Sequence, residues 1–344
     1  MDLRSYIGRR LLLLIPTVLG AIFFIFLLTQ FLTPEQRASL YITSAKGAVA
    51  IPEVIEKYHL NDPFYVQFYH WIINLLHGNL GYSQAGNMTV AEAFVNFLPA
   101  SLELFMYSTP IIIWAAIGLG TKSAVNKDEA PDHVSRVASI GGYAMPNFWL
   151  GLLLLLIGYG LIGIFGAGRL TTAVETYVTE SPEFIRYTKI NTIDAIINWD
   201  FRVLIDALKH LVLPVATLVV SSWALLTRIT RSSMLEVLGK DFITAARAKG
   251  LEENTVINKH ARRNALISVL TVSGYLVIGL LTGSFIVETI FNYKGIGWFF
   301  VYAANQFDFS VITGFTLIFA LAIIFVNLIV DILYAYVDPR VRLE

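Results

Sequence analysis

Hydrophobic positions along this chain gather into long blocks instead of alternating at short period. Six blocks carry most of them, at about 11–32, 100–120, 137–160, 208–227, 266–290 and 311–337. Each is close to 20 residues or longer, the length a helix needs to cross about 30 Å of hydrocarbon. Inside a bilayer the backbone must satisfy its own polar groups, and a helix does so within one segment. Pro16, Pro110, Pro146 and Pro214 fall within the blocks, where membrane helices accommodate them as kinks. The pattern predicts an all-α integral membrane protein, one domain over 1–344 with six transmembrane helices.

Two polar segments, 33–98 and 166–207, lie on one side of that arrangement. In the first, Val66, Tyr69/His70 and Ile73 recur at helical spacing, which predicts a helix lying along the membrane surface. In the second, Ile193–Ile197 and Leu204–Leu208 predict short helices packed on the outer face. The third polar stretch, Glu236–Ser268, differs from a plain connecting loop. Ile243, Ala246 and Gly250 recur at i, i+3 and i+7, and Gly250 reads as a helix stop. That stripe of mostly small residues would let another protein's backbone approach closely. The competing reading is a basic loop that only orients the protein in the membrane.

Composition agrees with the blocks: 56% hydrophobic residues, 15% charged, and a mean hydropathy of +0.64. A soluble chain of this size carries nearer a quarter charged residues. The zero net charge conceals an uneven distribution. Six spans with an inner N-terminus place 1–10, 122–136, the loop 228–263 and the C-terminal tail in the cytoplasm. Sixteen of the 25 Lys and Arg residues then lie inside, the bias that sets orientation. The first block could instead be a secretory signal. However, its apolar run is longer than a signal's and ends in Gln30-Phe31-Leu32-Thr33-Pro34, so a retained span is the better reading.

Candidate chemistry adds little. Cysteine is absent, which excludes disulfides, thiolate metal sites and thiol nucleophiles. Gly118-Leu119-Gly120-Thr121-Lys122-Ser123 lacks the adjacent Gly-Lys of a phosphate-binding loop, and no H-E-x-x-H or G-x-S-x-G sequence occurs. His59, His70 and His77 have no compact ligand spacing. Asn87-Met88-Thr89 is a glycosylation sequon on the outer side. Glu103, Glu288, Asn327 and Asp331 lie in or near spans, where structural bonding between helices or contact with the interface competes with a functional role. Gly274, Gly279, Gly283 and Ser284 on the fifth span suit either close helix packing or a pore lining.

Residue order adds a resemblance. DFITAARAKGL (241–251) followed by HARRNALI (260–267) resembles the cytoplasmic loop of ABC-importer permeases of the dipeptide and oligopeptide branch. YIGRRLLLLIPTVLGAIFFIF near the N-terminus, KYHLNDPFYVQFYHWIINLLHGNLGYS after it, HLVLPVATL, FNYKGIGWFF and the terminal NLIVDILYAYVDPRVR match that family in the same order. Departures are Thr244 before Ala245-Ala246, where the wider superfamily has glutamate, and Ser268 and Lys294 at positions where proline is usual.

The resemblance implies the type I importer fold with outer-face helical insertions and a cytoplasmic coupling helix. Ala245, Ala246, Lys249, Gly250 and Leu251 would dock on a separate ATPase, and His260–Asn264 would lead into the next span. Gly279, Gly283, Ser284 and Glu288 are the candidates for the pathway or for helix packing. It also implies a second, homologous permease subunit, two ATPase subunits holding ATP and Mg, and an external substrate-binding protein. No cofactor, metal, catalytic residue or nucleic-acid partner is expected in this chain, which would be a multi-pass subunit of the cytoplasmic membrane. Cargo would be di- or oligopeptides, with oligosaccharides or a nickel complex as the alternative. A secondary transporter would require coupling-ion residues or inverted repeats, a membrane enzyme would require a catalytic set, and a membrane scaffold would leave the loop without a special partner.

Overall fold

Long apolar blocks become long helices, but their ends are set by polar caps and turns. The computed structural model describes residues 3–44 and 51–337, and the side chains in those ranges except 3–6, 268, 270–271, 275–279, 281–283 and 333–337. Contacts divide the chain into two units: 2–101 with 294–328, and 102–293 with 329–344.

In the first of these units, α1 (Leu3–Thr29) is followed by the short helices α2 (Pro34–Ala38) and α3 (Ile51–Lys57) and by α4 (Phe64–Leu76). Ile25 and Phe26 of α1 pack with Leu40, Leu60, Trp71 and Leu317 in one apolar cluster. The helix expected over Val66–Ile73 lies within α4. The residues it buries in the protein are Gln67 and Trp71. A buried glutamine requires partners, and it has them: Arg37 Nη1 donates to its Oε1 at 2.9 Å, and its Nε2 donates to the Asp62 carbonyl at 2.7 Å. A short hairpin of two-residue strands, β1 (Tyr82–Ser83) against antiparallel β2 (Met88–Thr89), leads into α5 (Val90–Val125). Thr89 and Glu92 form a reciprocal capping box at 2.9 and 3.2 Å. The helix therefore starts at its cap, well before the apolar block beginning near 100. Later in the chain, α14 (Ile296–Asn305) and α15 (Phe309–Val337) as far as Leu328 return to this unit. Ile296, Phe299, Val311 and Phe315 close a second cluster around Val90.

The other unit contains α6 (Ala130–Ala144), α7 (Asn147–Leu155, continued as π turns over Leu156–Leu161), α8 (Thr172–Glu180), α9 (Asn191–Ile197) and α10 (Phe201–Leu238). The block at 137–160 is not one straight span. α6 and the α7 segment meet at 96°, because Met145 and Pro146 are both extended, with ψ of 124° and 134°. Proline biases the residue before it away from helix and has no N–H to continue the ladder. The expected short helix at Leu204–Leu208 is instead the start of α10. Asp200 caps it by accepting from the Arg202 and Val203 N–H groups at 3.0 and 3.1 Å, and the helix continues through Pro214. α11 (Asp241–Ala248), the single turn α12 (Glu253–Thr255), π turns over Val256–Ala261 and α13 (Arg262–Ile290) complete the unit.

Among the described residues, four helices are long and apolar enough to cross a membrane, or five if the bent pair counts as one span. α13, outside that count, has 29 residues, about 43 Å at 1.5 Å per residue. Leu12, Phe24, Trp114, Leu156 and Leu161 are all more than half exposed, a surface suited to lipid and unsuited to water.

Candidate functional site

The loop after α10 is built by burying one face of α11. Ile243 and Ala246 join Met234, Val256, Ala261 and Ala265 in an apolar cluster, and Ile243 is fully inaccessible. Two members of the stripe therefore pack against this chain's own helices. The opposite face is bare: Phe242, Ala245 and Lys249 recur at i, i+3 and i+7 and are exposed, and Leu251 beyond them is 40% exposed. Phe242 was not among the sequence candidates. Its signal is that counter-stripe, one position before the stripe that the small residues suggested.

Gly250 ends the helix with φ +74°, and nothing lies within 4 Å of where a Cβ would sit. Its N–H donates to the Arg247 carbonyl at 2.9 Å, and the Leu251 N–H donates to the Ala246 carbonyl at 3.4 Å. This is the Schellman arrangement, which requires a left-handed residue at this position. Arg247 then clamps the turn: its Nη2 and Nε donate to the Glu253 carboxylate at 2.6 and 3.0 Å. The hydrogen-bonded guanidinium holds the Glu253 carboxyl below its ordinary range. α11 is thus fixed on its inner face and at its exit, while its outer face stays open.

Of the small and polar residues on the fifth span, Ser284 and Glu288 are buried in the protein interior. Gly274 faces Val330, where a Cβ would come within 2.3 Å of a methyl group, so helix packing accounts for it. The surroundings of Gly279 and Gly283 lie outside the described residues. Glu103, which the sequence leaves near an interface, is fully buried. It accepts from Arg169 Nη2 at 2.9 Å, the Tyr293 hydroxyl at 2.7 Å, and the Thr192 N–H and hydroxyl at 2.8 and 2.9 Å. It fastens the segment after α7 and the start of α9 to α5. His59 stacks on His70 with centroids 5.0 Å apart and its Nδ1 lies 2.9 Å from Asp62. No group of three possible metal ligands occurs among the described residues.

Comparison with known proteins fits this architecture. Residues 108–343 match the family described as binding-protein-dependent transport system inner membrane component. The chain belongs to this family. The oligopeptide transport system permease protein AppB of Bacillus subtilis is 38% identical, with 98% of this chain and 99% of that one covered. The dipeptide transport system permease protein DppB of Escherichia coli K12 is 35% identical over 98% of each chain. The di/tripeptide transport system permease protein DppB of Pseudomonas aeruginosa is likewise 35% identical over 98% of each. The similarity read from the central loop and both ends of the sequence thus extends over nearly the whole chain. As an inner membrane component of a binding-protein-dependent system, the chain is a multi-pass permease subunit that works with a substrate-binding protein and an ATPase.

Proposed function

We propose that this permease forms part of the translocation pathway of an ATP-driven importer for di- and oligopeptides, and that α11 receives the ATPase motion. Peptide cargo is supported by the names of the full-length relatives. The observation that carries the coupling assignment is the two-faced α11. Ile243 and Ala246 tie it to α10 and α13, so a push on the exposed face reaches the spans rigidly. Phe242, Ala245, Lys249 and Leu251 supply a small apolar contact with one cation. ATP and Mg belong to two partner ATPase subunits, and a second homologous permease completes the pathway. The loop 228–263 and both termini lie in the cytoplasm, with six spans in all.

The test compares Ala245→Arg and Phe242→Asp with wild type in the assembled transporter. ATPase co-purification and peptide uptake should fall together by about tenfold, since the lost contact is of hot-spot size. Peptide binding to the external binding protein should be unchanged. Full uptake and normal ATPase recovery in both variants would remove α11 from the coupling path.

A further inference from the structure

A cavity of about 350 Å³ lies between α6 and α10, lined by Arg136, Ser139, Ile140, Thr227, Arg228 and Arg231 among others. Neither the coupling loop nor the Glu103 cluster uses it. Arg231 is seven residues before the end of α10 at Leu238, about 10 Å of helix rise. The cavity therefore sits in the last turns of the long helix that leads into α11.

Its charge is unbalanced. Asp132 takes Arg231 in a bidentate pair at 2.6 and 2.7 Å. The same carboxylate also accepts from the Ser123 hydroxyl at 2.5 Å and the Asp128 N–H at 3.1 Å. Among the described residues, Arg136 and Arg228 have no such carboxylate; Arg228 lies over the Tyr143 ring at 5.4 Å. Two exposed guanidinium groups thus line the cavity without an ion-pair partner among those residues.

Two hydroxyls point to what would compensate them. Ser139 Oγ and Thr227 Oγ1 are buried without a hydrogen-bond partner, on residues only 4% and 1% exposed. A helical hydroxyl ordinarily bonds the carbonyl four residues back, as Thr217 and Thr230 of the same helix do at 2.9 and 2.8 Å. Ser139 and Thr227 do not, and a buried unmade hydrogen bond is costly. Ser139, Thr227, Arg136 and Arg228 line one space, and the buried Asp132 carboxylate beside it is already taken by Arg231.

We propose that this cavity binds a phosphate ester, with Arg136 and Arg228 gripping the phosphate and the Ser139 and Thr227 hydroxyls, closed off while the cavity is empty, turning to donate to its oxygens. Guanidinium forks match phosphate geometry better than a point charge does. The space exceeds a bare ion and is large enough for a headgroup. Val137, Ile140 and Tyr143 on the same helix are 59–70% exposed, an apolar rim suited to the acyl chains of an anionic phospholipid. Basic pockets between spans at the cytoplasmic face suit such headgroups on electrostatic grounds. The inference requires the membrane location of the chain but not the docking of α11.

The experiment uses the full chain in nanodiscs of equal phosphatidylglycerol and phosphatidylcholine, with lipid retention read by native mass spectrometry after extraction. Wild type should retain phosphatidylglycerol, and the double variant Arg136→Gln, Arg228→Gln should lose about tenfold or more of it, as two charge-assisted bonds disappear. Lys127→Gln, an exposed charge outside the cavity, should retain as much as wild type. Thr227→Val, which keeps shape and removes the hydroxyl, should reduce retention without unfolding the chain. A parallel arm adds inorganic phosphate alone and follows thermal stability. A phosphate-dependent rise that the double variant lacks, without lipid preference, would keep the site and assign it to a soluble phosphate. Equal lipid retention in wild type and double variant, together with no response to phosphate, would overturn the proposal and leave the cavity to water or to another subunit.

Discussion

Gly250 holds a backbone conformation that side chains disfavour, and no atom of this chain crowds it. Its φ of +74° stands in open space, so a substitution is penalised by conformation alone, by roughly 1–2 kcal/mol for a residue that avoids the left-handed region. Asparagine tolerates that region and β-branched residues do not. Gly250→Asn should therefore retain coupled ATP hydrolysis while Gly250→Val loses much of it, measured as peptide-stimulated turnover in the assembled transporter. Equal loss in both would mean that the partner needs the space itself. Ala245 and Ala246 separate in a similar way. Ala246 is buried against the cluster around Met234, and enlarging it to leucine overpacks that core by about 1–3 kcal/mol. Ala246→Leu should lower the thermal midpoint of the isolated chain, whereas Ala245→Leu should leave it unchanged. Identical midpoints would contradict the inward facing of Ala246.

Among the elements, the Glu103 cluster is vulnerable to a single change. Its carboxylate is fully buried with four donors, and Arg169 supplies the one formal positive charge among them. Removing that partner strands a buried charge, a loss of about 3–5 kcal/mol. Arg169→Met should thus lower the thermal midpoint sharply and expose the segment around α8 and α9 to protease. The double variant Glu103→Gln, Arg169→Met should recover much of the loss, because no charge is left unpaired. A single variant as stable as wild type would show that the cluster does not hold the segment. None of this was legible from Arg169 in the sequence, since it lies 66 residues from Glu103. The bend between α6 and α7 was partly legible. Pro146 marked a kink, but α10 continues through Pro214, so proline alone did not say which helix would break.

At the scale of the whole molecule, the charge bias and the two-faced loop both argue for a cytoplasmic position of 228–263. The chain has no cysteine, so Glu252→Cys and Glu180→Cys provide clean reporters, and both positions are exposed. An impermeant thiol reagent should label position 180 in intact cells and position 252 only after lysis. The reverse pattern would invert the topology and remove the ATPase from reach of α11.

The sequence by itself determined the class of molecule. Apolar blocks near the thickness of a bilayer leave the backbone no alternative to helices, and the order of residues from 241 to 267 carried the family. It also placed a helix stop at Gly250, because a positive φ has a strong compositional signature. Facing was left to the tertiary structure. Ile243 and Ala246 resemble a docking stripe when read along one helix, and they became core because α10, the π turns and α13 closed over that face. Glu103 became the centre of a bonded cluster for the same reason. Burial depends on which elements meet, and a periodic pattern shows that a helix has a distinct face without saying what covers it.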